Sequence, residues 1–123
     1  MAFSLFMSGA SGLIIDGGIR DILELKKEGF PIFTRFITPS VGDKDGPGEI
    51  NVPISCGGVP VQPGDLVVGD ANGVVVISPN LAEEVLKNAQ NKLDYEVRRM
   101  KEIRNGIFVK PDIDKVLADK GVI

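Results

Sequence analysis

The feature that most constrains the fold is a long helical pattern in the last third of the sequence. The pattern opens at Ser78-Pro79-Asn80, runs to about Arg104 and ends at Asn105-Gly106. The proline suits a first helical turn, and Asn80 with Glu83 has the spacing of a capping box. Because several strand patterns precede this one long helix, the order of elements predicts an α/β or α+β fold with a mixed sheet.

Short strand patterns fill the chain before the long helix. Gly12–Ile15 predicts a buried strand and Pro31–Ile37 a second strand. Leu66–Val68 and Val74–Ile77 flank a turn whose Asn-Gly pair predicts a hairpin, and the apolar second arm predicts burial on both faces. The remaining predictions are a helix tail over residues 2–9, a loop over 38–49, an extended segment over 50–59 and a last helix over about 112–120.

The stretch Ser11–Leu25 raises a question about its charges. It predicts a strand, a tight turn at Asp16-Gly17-Gly18, and a helix over Ile19–Glu28. Asp21 is expected at a helix start, because the first turn carries partial positive charge, but Arg20 is disfavoured there for the same reason. A mildly disfavoured arginine beside a glycine turn makes this stretch the place to search for a ligand site.

Composition and charge exclude several classes of protein. The chain has 123 residues, of which 43% are hydrophobic and 25% charged, which predicts one soluble domain. A net charge of −3 without a basic run predicts no direct nucleic-acid binding. No apolar run approaches the roughly 20 residues that span a bilayer. The single cysteine, Cys56, cannot form an internal disulfide, which favours the cytoplasm, and is expected to be a small buried apolar residue.

The sequence contains no histidine. This excludes Ser-His and Cys-His catalytic pairs and any His-ligated zinc or iron site. A metal would be held by oxygen atoms, which indicates Mg²⁺ or Mn²⁺.

One carboxylate of the long helix falls inside its apolar side. At about 100° per residue Glu96 projects within the arc formed by Leu86, Ala89, Leu93, Val97, Met100 and Ile103. A carboxylate in an apolar stripe is costly unless it is paired or used. Glu96 is therefore expected either to pair with Arg or Lys at a subunit interface or to serve a site.

Several ordered motifs resemble one known family. "SGLIIDGGIRD" and "TPSVGDKDGPGEINVPISCGGVPVQPGDLVVGDANGVVVI", followed by the acidic-basic helix, are similar to the RraA-like family. That family includes the regulator of ribonuclease activity A and the divalent-metal 4-hydroxy-4-methyl-2-oxoglutarate / 4-carboxy-4-hydroxy-2-oxoadipate aldolases. The resemblance covers about residues 11–106. It implies a swivelling β/β/α domain with a mixed sheet and a long C-terminal helix, and residues 1–123 are expected to be the C-terminal portion of one such domain.

The resemblance also implies roles for particular residues. Arg20, Asp21 and Glu24 match the Arg-Asp-x-x-Glu/Asp pattern of the aldolases, in which Arg binds the substrate carboxylate and Asp holds the metal largely through waters. Asp21 and Glu24 are expected on one helical face, so both can bind one Mg²⁺ or Mn²⁺ ion or its water shell. Lys44 corresponds to a lysine of the glycine-rich loop, and Glu96 to a glutamate from a neighbouring subunit. The family's glycine loop, which holds the pyruvyl group, is expected to be absent together with the N-terminal strands.

Three functions follow from the resemblance. The first is a metal-dependent aldolase or oxaloacetate decarboxylase that releases pyruvate from a small 2-oxo acid. The second is a non-catalytic protein that binds and regulates a ribonuclease. The third, a demethylmenaquinone methyltransferase, is disfavoured because the sequence has no glycine-rich strand-to-helix loop followed by an acidic ribose-binding residue. The family's ring-shaped assembly implies a homotrimer or a hexamer made of two trimers.

Ordinary structural roles remain open for the same residues. Arg20 and Glu24 have the spacing of a solvated pair on a helix surface, which is worth only a few tenths of a kcal/mol. Lys44 lies between two aspartates in a polar loop, where charges are common. Gly57-Gly58 has backbone amides that could hold an anion, although a glycine pair alone is a weak signal.

Overall fold

The computed structural model describes residues 2–43, 45–110 and 112–122. The chain divides between Asn80 and Leu81 into two units. The predicted α/β class with a long helix is confirmed. Parallel and antiparallel strand pairs both occur, but in the described residues they form three two-stranded sheets instead of one mixed sheet. The single domain over residues 1–123 stays a prediction.

The first unit contains a parallel strand pair and two hairpins. β1 and β2 are parallel and are joined by the short helix α2, whereas β3 pairs with β4 and β5 with β6 in antiparallel hairpins. The elements are α1 (Ala2–Met7), β1 (Leu13–Ile19), α2 (Ile22–Lys27), β2 (Ile32–Ile37), β3 (Ile54–Cys56), β4 (Val59–Val61), β5 (Leu66–Asp70) and β6 (Gly73–Ile77). The described part of residues 38–49 contains no helix or strand, as predicted.

The turn predicted at Asp16-Gly17-Gly18 is wrong, because β1 continues through these residues to Ile19. The pairing with β2 shifts register between Ile15 and Gly18, as in a β-bulge. A Cβ atom on Gly18 would lie 2.5 Å from the Phe36 ring and 2.6 Å from the Thr38 methyl group. This glycine therefore allows a close approach of side chains and does not make a turn.

The buried apolar residues of the described chain are Ile19, Leu25 and Phe30. They come from the end of β1, from α2 and from the segment before β2. The ring of Phe6 on α1 lies 5.4 Å from that of Phe30, within the range of favourable aromatic pairs. This small cluster attaches α1 and α2 to the parallel strand pair.

The predicted β5–β6 hairpin forms, with Ala71 and Asn72 between the strands and a positive φ of 141° at Gly73. The Asp70 carboxylate accepts hydrogen bonds from the Asn72 backbone N–H at 2.7 Å and from its side-chain amide at 3.2 Å. These bonds lower the pKa of Asp70 below its usual range. The predicted burial of β6 on both faces is wrong: Val75 is 57% exposed, because a two-stranded hairpin has one covered face.

The second unit contains α3 (Ala82–Arg104) and α4 (Ile113–Asp119). α3 ends at Arg104 as predicted, with Asn105 as its C-cap and Gly106 following at φ +86°. The predicted capping box is wrong, because a 3₁₀ turn over Pro79–Leu81 precedes the helix and Leu81 occupies the cap position without a side-chain hydrogen bond.

Arg99 fixes the chain that leaves α3. Its side chain is 15% exposed and pairs with Glu102 at 2.8 Å. It also donates hydrogen bonds to the carbonyl oxygens of Ile107 and Phe108 at 3.0 and 2.6 Å. The Lys110 Nζ lies 5.2 Å from the centroid of the Tyr95 ring, and the Tyr95 hydroxyl raises the pKa of Lys110. No helix in the described residues is long and apolar enough to cross a membrane.

Candidate functional site

Arg20 and Asp21 connect the end of β1 to the start of α2. The Arg20 Nε lies 3.3 Å from Asp21 Oδ2, and their side chains are 51% and 67% exposed. Arg20 thus pairs with its neighbour and not with Glu24, the partner that a simple helix surface would give it. Both charged groups remain accessible to a ligand from solvent.

Asp21 adopts a left-handed backbone conformation, with φ 61° and ψ 33°. This conformation costs most L-residues roughly 1–2 kcal/mol, although Asp and Asn tolerate it better. Its carbonyl accepts the Leu25 N–H at 3.3 Å, but its carboxylate makes no capping hydrogen bond to α2 in the described structure. Strained residues of this kind concentrate at functional sites. Asp21 therefore holds a costly conformation without using its carboxylate as a cap.

Two carboxylates stand at this end of α2. Asp21 occupies the cap position just before the helix and Glu24 lies in the first turn, so the prediction that both belong to the helix itself is corrected. Within residues 2–43, 45–110 and 112–122, no three His, Cys, Asp or Glu side chains form a group that could hold a metal. The oxygen donors present fit an ion such as Mg²⁺, which commonly keeps several waters and takes only one or two protein carboxylates.

The other two predicted site residues lie elsewhere. Lys44 is outside the described residues. Glu96 lies on α3 in the second unit, with a 55% exposed side chain whose Oε1 is 3.7 Å from the Lys92 Nζ. Ala89 and Ile103, which flank it on the apolar arc, are both exposed, Ile103 by 42%. Glu96 is therefore bordered on α3 by exposed apolar side chains.

A second charged group, which was not predicted from the sequence, connects β1 to β2 and to the β3–β4 turn. Asp16 on β1 forms an ion pair with Arg35 on β2. Its other carboxylate oxygen accepts the backbone N–H of Gly57 at 2.9 Å, across 41 residues of sequence. The backbone N–H of Gly57, one of the Gly57-Gly58 pair, thus binds the protein's own Asp16 carboxylate. Charged residues inside two otherwise apolar strands were the available signal.

An apolar cleft lies beside this group. It encloses about 450 Å³, and nine of its fourteen lining residues are Ile, Val or Phe. Cys56 lines it and is free and partly buried, so the prediction that it is a buried residue is only partly met. Asp16 and Arg35 form the charged part of the lining.

The model of the RraA-like family, described as Aldolase/RraA, matches residues 1–76 of the chain. The chain belongs to the RraA-like family. The resemblance deduced from the motifs is thereby confirmed.

Three similar proteins show what members of the RraA-like family are called. A Halalkalibacterium halodurans protein, provisionally named a 4-hydroxy-4-methyl-2-oxoglutarate aldolase, is 46% identical over 110 residues, which cover 89% of this chain and 52% of that protein. A Thermus thermophilus 4-hydroxy-4-methyl-2-oxoglutarate aldolase is 32% identical over 69 residues, covering 56% and 42%. Streptomyces coelicolor RraAS2, described as an unusual member of the RNase ES inhibitor RraA family, superposes with a TM-score of 0.68 at 33% identity and covers 80% and 52%. The chain thus spans about half the length of the relatives it matches.

Proposed function

We propose that this chain contributes the carboxylate-binding and metal-binding part of a site that converts small 2-oxo acids to pyruvate. The expected substrates are 4-hydroxy-4-methyl-2-oxoglutarate-type acids, cleaved by a retro-aldol reaction, and oxaloacetate, which is decarboxylated. The observation that carries the proposal is the exposed Arg20–Asp21 pair at the end of β1, with Asp21 in a strained conformation. The aldolase names of two relatives support the same reaction class.

Arg20 would bind and orient the substrate carboxylate. Its contact with Asp21 uses Nε, so the terminal guanidinium nitrogens can form the two parallel hydrogen bonds that a carboxylate accepts. Asp21 limits the freedom of the guanidinium through this contact. A substrate held in this way is presented in one orientation, which is the main contribution expected of a positioning arginine.

Asp21, assisted by Glu24, would hold Mg²⁺ or Mn²⁺ through its carboxylate and bound waters. A divalent ion, when bound, supplies Lewis-acid stabilisation of the negative charge that develops on the 2-oxo oxygen. Lys44 and Glu96 are proposed as further site residues, with Glu96 supplied by a neighbouring subunit. The glycine loop would come from polypeptide beyond these 123 residues.

Metal and substrate binding can be tested without turnover. We expect Mn²⁺ to broaden the amide NMR signals of residues 20–24 in the isotopically labelled chain, and pyruvate to shift the Arg20 side-chain signals. Asp21→Asn should abolish the Mn²⁺ effect, whereas Asp43→Asn, a loop carboxylate outside the pair, should not. Uniform broadening that is insensitive to Asp21→Asn would contradict the metal assignment.

The activity is tested on the chain together with the part of the family domain that it does not contain. Pyruvate should form from either substrate only with Mg²⁺ or Mn²⁺, and a chelator should stop the reaction. A rival mechanism uses a lysine Schiff base, which borohydride would trap in the presence of pyruvate. A trapped lysine adduct with chelator-resistant turnover would rule out the metal mechanism.

The second candidate is regulation of a ribonuclease. The likeness to Streptomyces coelicolor RraAS2 favours it, because that protein is described as belonging to a family of RNase ES inhibitors. Inhibition of RNase ES by the chain would be measured on a short RNA substrate. Inhibition that persists in Arg20→Ala and Asp21→Asn would show that binding is independent of the proposed 2-oxo acid site.

A further inference from the structure

One extra residue in β1 changes the face of the strand pair on which the chain continues. Ile15 of β1 lies opposite Thr34 of β2. The next pair is Gly18 and Phe36, so β1 advances by three residues while β2 advances by two. Because side chains alternate between the two faces of a strand, a slip of one residue reverses every side chain that follows. The bulge therefore sets the direction in which Arg20, the first residue after β1, leaves the strand.

The exposure of the residues of β1 shows the same break. Before the bulge, Leu13 and Ile15 are half-buried, whereas Ile14 and Asp16 are exposed, as the alternation of a regular strand requires. Residues 17–19 are then covered in succession, and the last of them is buried. The alternation is thus lost just before the strand ends.

The Thr34 hydroxyl binds the bulged segment directly. It donates to the carbonyl oxygen of Gly17 at 2.6 Å, whereas its other acceptor, the carbonyl oxygen of Phe36, lies farther away at 3.2 Å. A bulge leaves backbone groups outside the regular ladder, and a covered carbonyl without a donor is costly. The hydrogen bond from Thr34 therefore stabilises the bulged pairing relative to a regular one.

The chain is also attached to β2 on both sides of Gly17. Before it, Asp16 forms the ion pair with Arg35. After it, the carbonyl oxygen of Ile19 accepts the backbone N–H of Thr38 at 2.9 Å. The extra residue cannot move along β1 without breaking one of these contacts. The bulge thus has a fixed place, two residues before the end of the strand.

We propose that Thr34 is a positioning residue for the Arg20–Asp21 pair: through Gly17 it holds the bulge that directs Arg20 towards the substrate. This inference rests on the proposed function of the pair. Thr34 itself would touch neither substrate nor metal, because its hydroxyl is used by backbone carbonyls. A displacement of about 1 Å at a reacting group can cost on the order of 100-fold in rate, so the loss of this hydrogen bond should weaken substrate binding.

Thr34→Val tests this role, because it removes the hydroxyl and keeps the branched shape. In the ligand-free chain we expect the Thr38 amide hydrogen, which bonds to Ile19, to exchange with solvent about tenfold faster. The pyruvate concentration that half-shifts the Arg20 side-chain NMR signals should rise about fivefold. Thr34→Ser, which restores the hydroxyl, should return both readings to within about twofold of wild type.

Asp70→Asn is the matched control. It weakens a hydrogen bond between a side chain and the backbone as well, but in the turn of the β5–β6 hairpin, which belongs to a different sheet. We expect it to change Thr38 exchange and the pyruvate response by less than about twofold. The comparison separates a loss of positioning from a general loss of folding stability.

Three results would overturn the proposal. One is that Thr34→Val changes neither Thr38 exchange nor the pyruvate response. Another is faster exchange with an unchanged pyruvate response, which would limit Thr34 to a structural role. The third is an equal effect of Asp70→Asn on both readings.

Failure of the proposed function would be recognised separately. In that case the Arg20 signals of the wild-type chain would not respond to pyruvate, and the role of Thr34 in the site would fall with it. In the three results above the wild-type chain does respond, so they overturn the role of Thr34 alone.

Discussion

Single residues at the end of β1 set up the proposed chemistry. Arg20 and Asp21 are both exposed, so substitutions there should leave the fold intact to within about 0.5 kcal/mol. The exception is a change that the left-handed backbone of Asp21 opposes. Asn and Gly accept this conformation, whereas Ala should cost roughly 1 kcal/mol of folding stability.

Variants of the pair separate its chemical role from its conformational one. Arg20→Lys keeps the charge but loses the planar fork, and we expect transition-state stabilisation to fall by roughly 2–3 kcal/mol. Asp21→Asn should lose more activity, with partial recovery at high Mn²⁺. Kinetics and thermal melts on the same samples separate a loss of activity from a loss of folding stability. Full activity in Arg20→Lys, Asp21→Asn and Asp21→Gly would show that the pair has no catalytic role and only precedes the helix.

Asp70 gives the β5–β6 turn a dependence on pH. Its pKa is lowered in the folded chain by the hydrogen bonds from Asn72, so it binds a proton more readily when unfolded. The stabilisation is present above the unfolded pKa of about 3.9 and is lost as pH falls through the lower folded value. We expect wild type to unfold at higher urea than Asp70→Asn at pH 7, with the gap narrowing below pH 4. A gap independent of pH would contradict this.

At the scale of elements, close packing determines which glycines can be replaced by a larger residue. A Cβ on Gly18 would collide with Phe36 and Thr38, whereas the nearest atom to a Cβ on Gly17 is the Ile15 Cγ2 at 3.7 Å. Gly69 on β5 is restricted in the same way, by the Phe33 ring at 2.5 Å. The two neighbouring glycines of β1 thus have different tolerances.

Gly18→Ala and Gly17→Ala form a matched test of this packing. We expect Gly18→Ala to destabilise the fold by about 1–3 kcal/mol through overpacking. Gly17→Ala should leave the free energy of unfolding nearly unchanged, because its methyl group would only make ordinary van der Waals contact with Ile15. Urea denaturation measures both. Equal stability of the two variants would show that the Phe36 ring can move aside.

The same elements show how far sequence alone could predict the structure. The β5–β6 hairpin and the end of α3 at Arg104, with Asn105 as its C-cap, were predictable, because their determinants are local turn and cap residues. The course of β1 through its glycines was not, because the reason is a ring on another strand. Arg20 and Asp21 were predicted within the first turn of a helix that starts at Ile19, whereas they lie just before α2 because β1 continues to Ile19. The Asp16–Gly57 hydrogen bond joins residues that no local pattern connects.

At the scale of the whole molecule, exposed apolar surface links stability to association. The arc on α3 leaves Leu86 and Met100 68% and 51% exposed, which is more than a stable monomer normally shows around one helix face. Burying this arc against further copies is consistent with the trimer or hexamer that the family resemblance implies. Stability that depends on association must rise with protein concentration.

The oligomer is tested by light scattering at tens of micromolar protein. We expect a trimer or hexamer, and a thermal midpoint that rises with concentration. Leu93→Asp, within the arc, should dissociate it, whereas Asn91→Asp, on the opposite side of α3, should not. A stable monomer at these concentrations, or equal dissociation by both variants, would exclude the arc as the interface.

The Asp16–Gly57 hydrogen bond also has a consequence for the order in which the chain folds. The β5–β6 hairpin closes a short loop, an event of about 1–10 μs, whereas Asp16 must find a partner 41 residues away. Because the entropy of closing this long loop opposes early contact, the bond should form after the rate-limiting step. Asp16→Asn should then hasten unfolding and leave the refolding rate unchanged, so that this carboxylate governs how long the native chain lasts and not how fast it is reached.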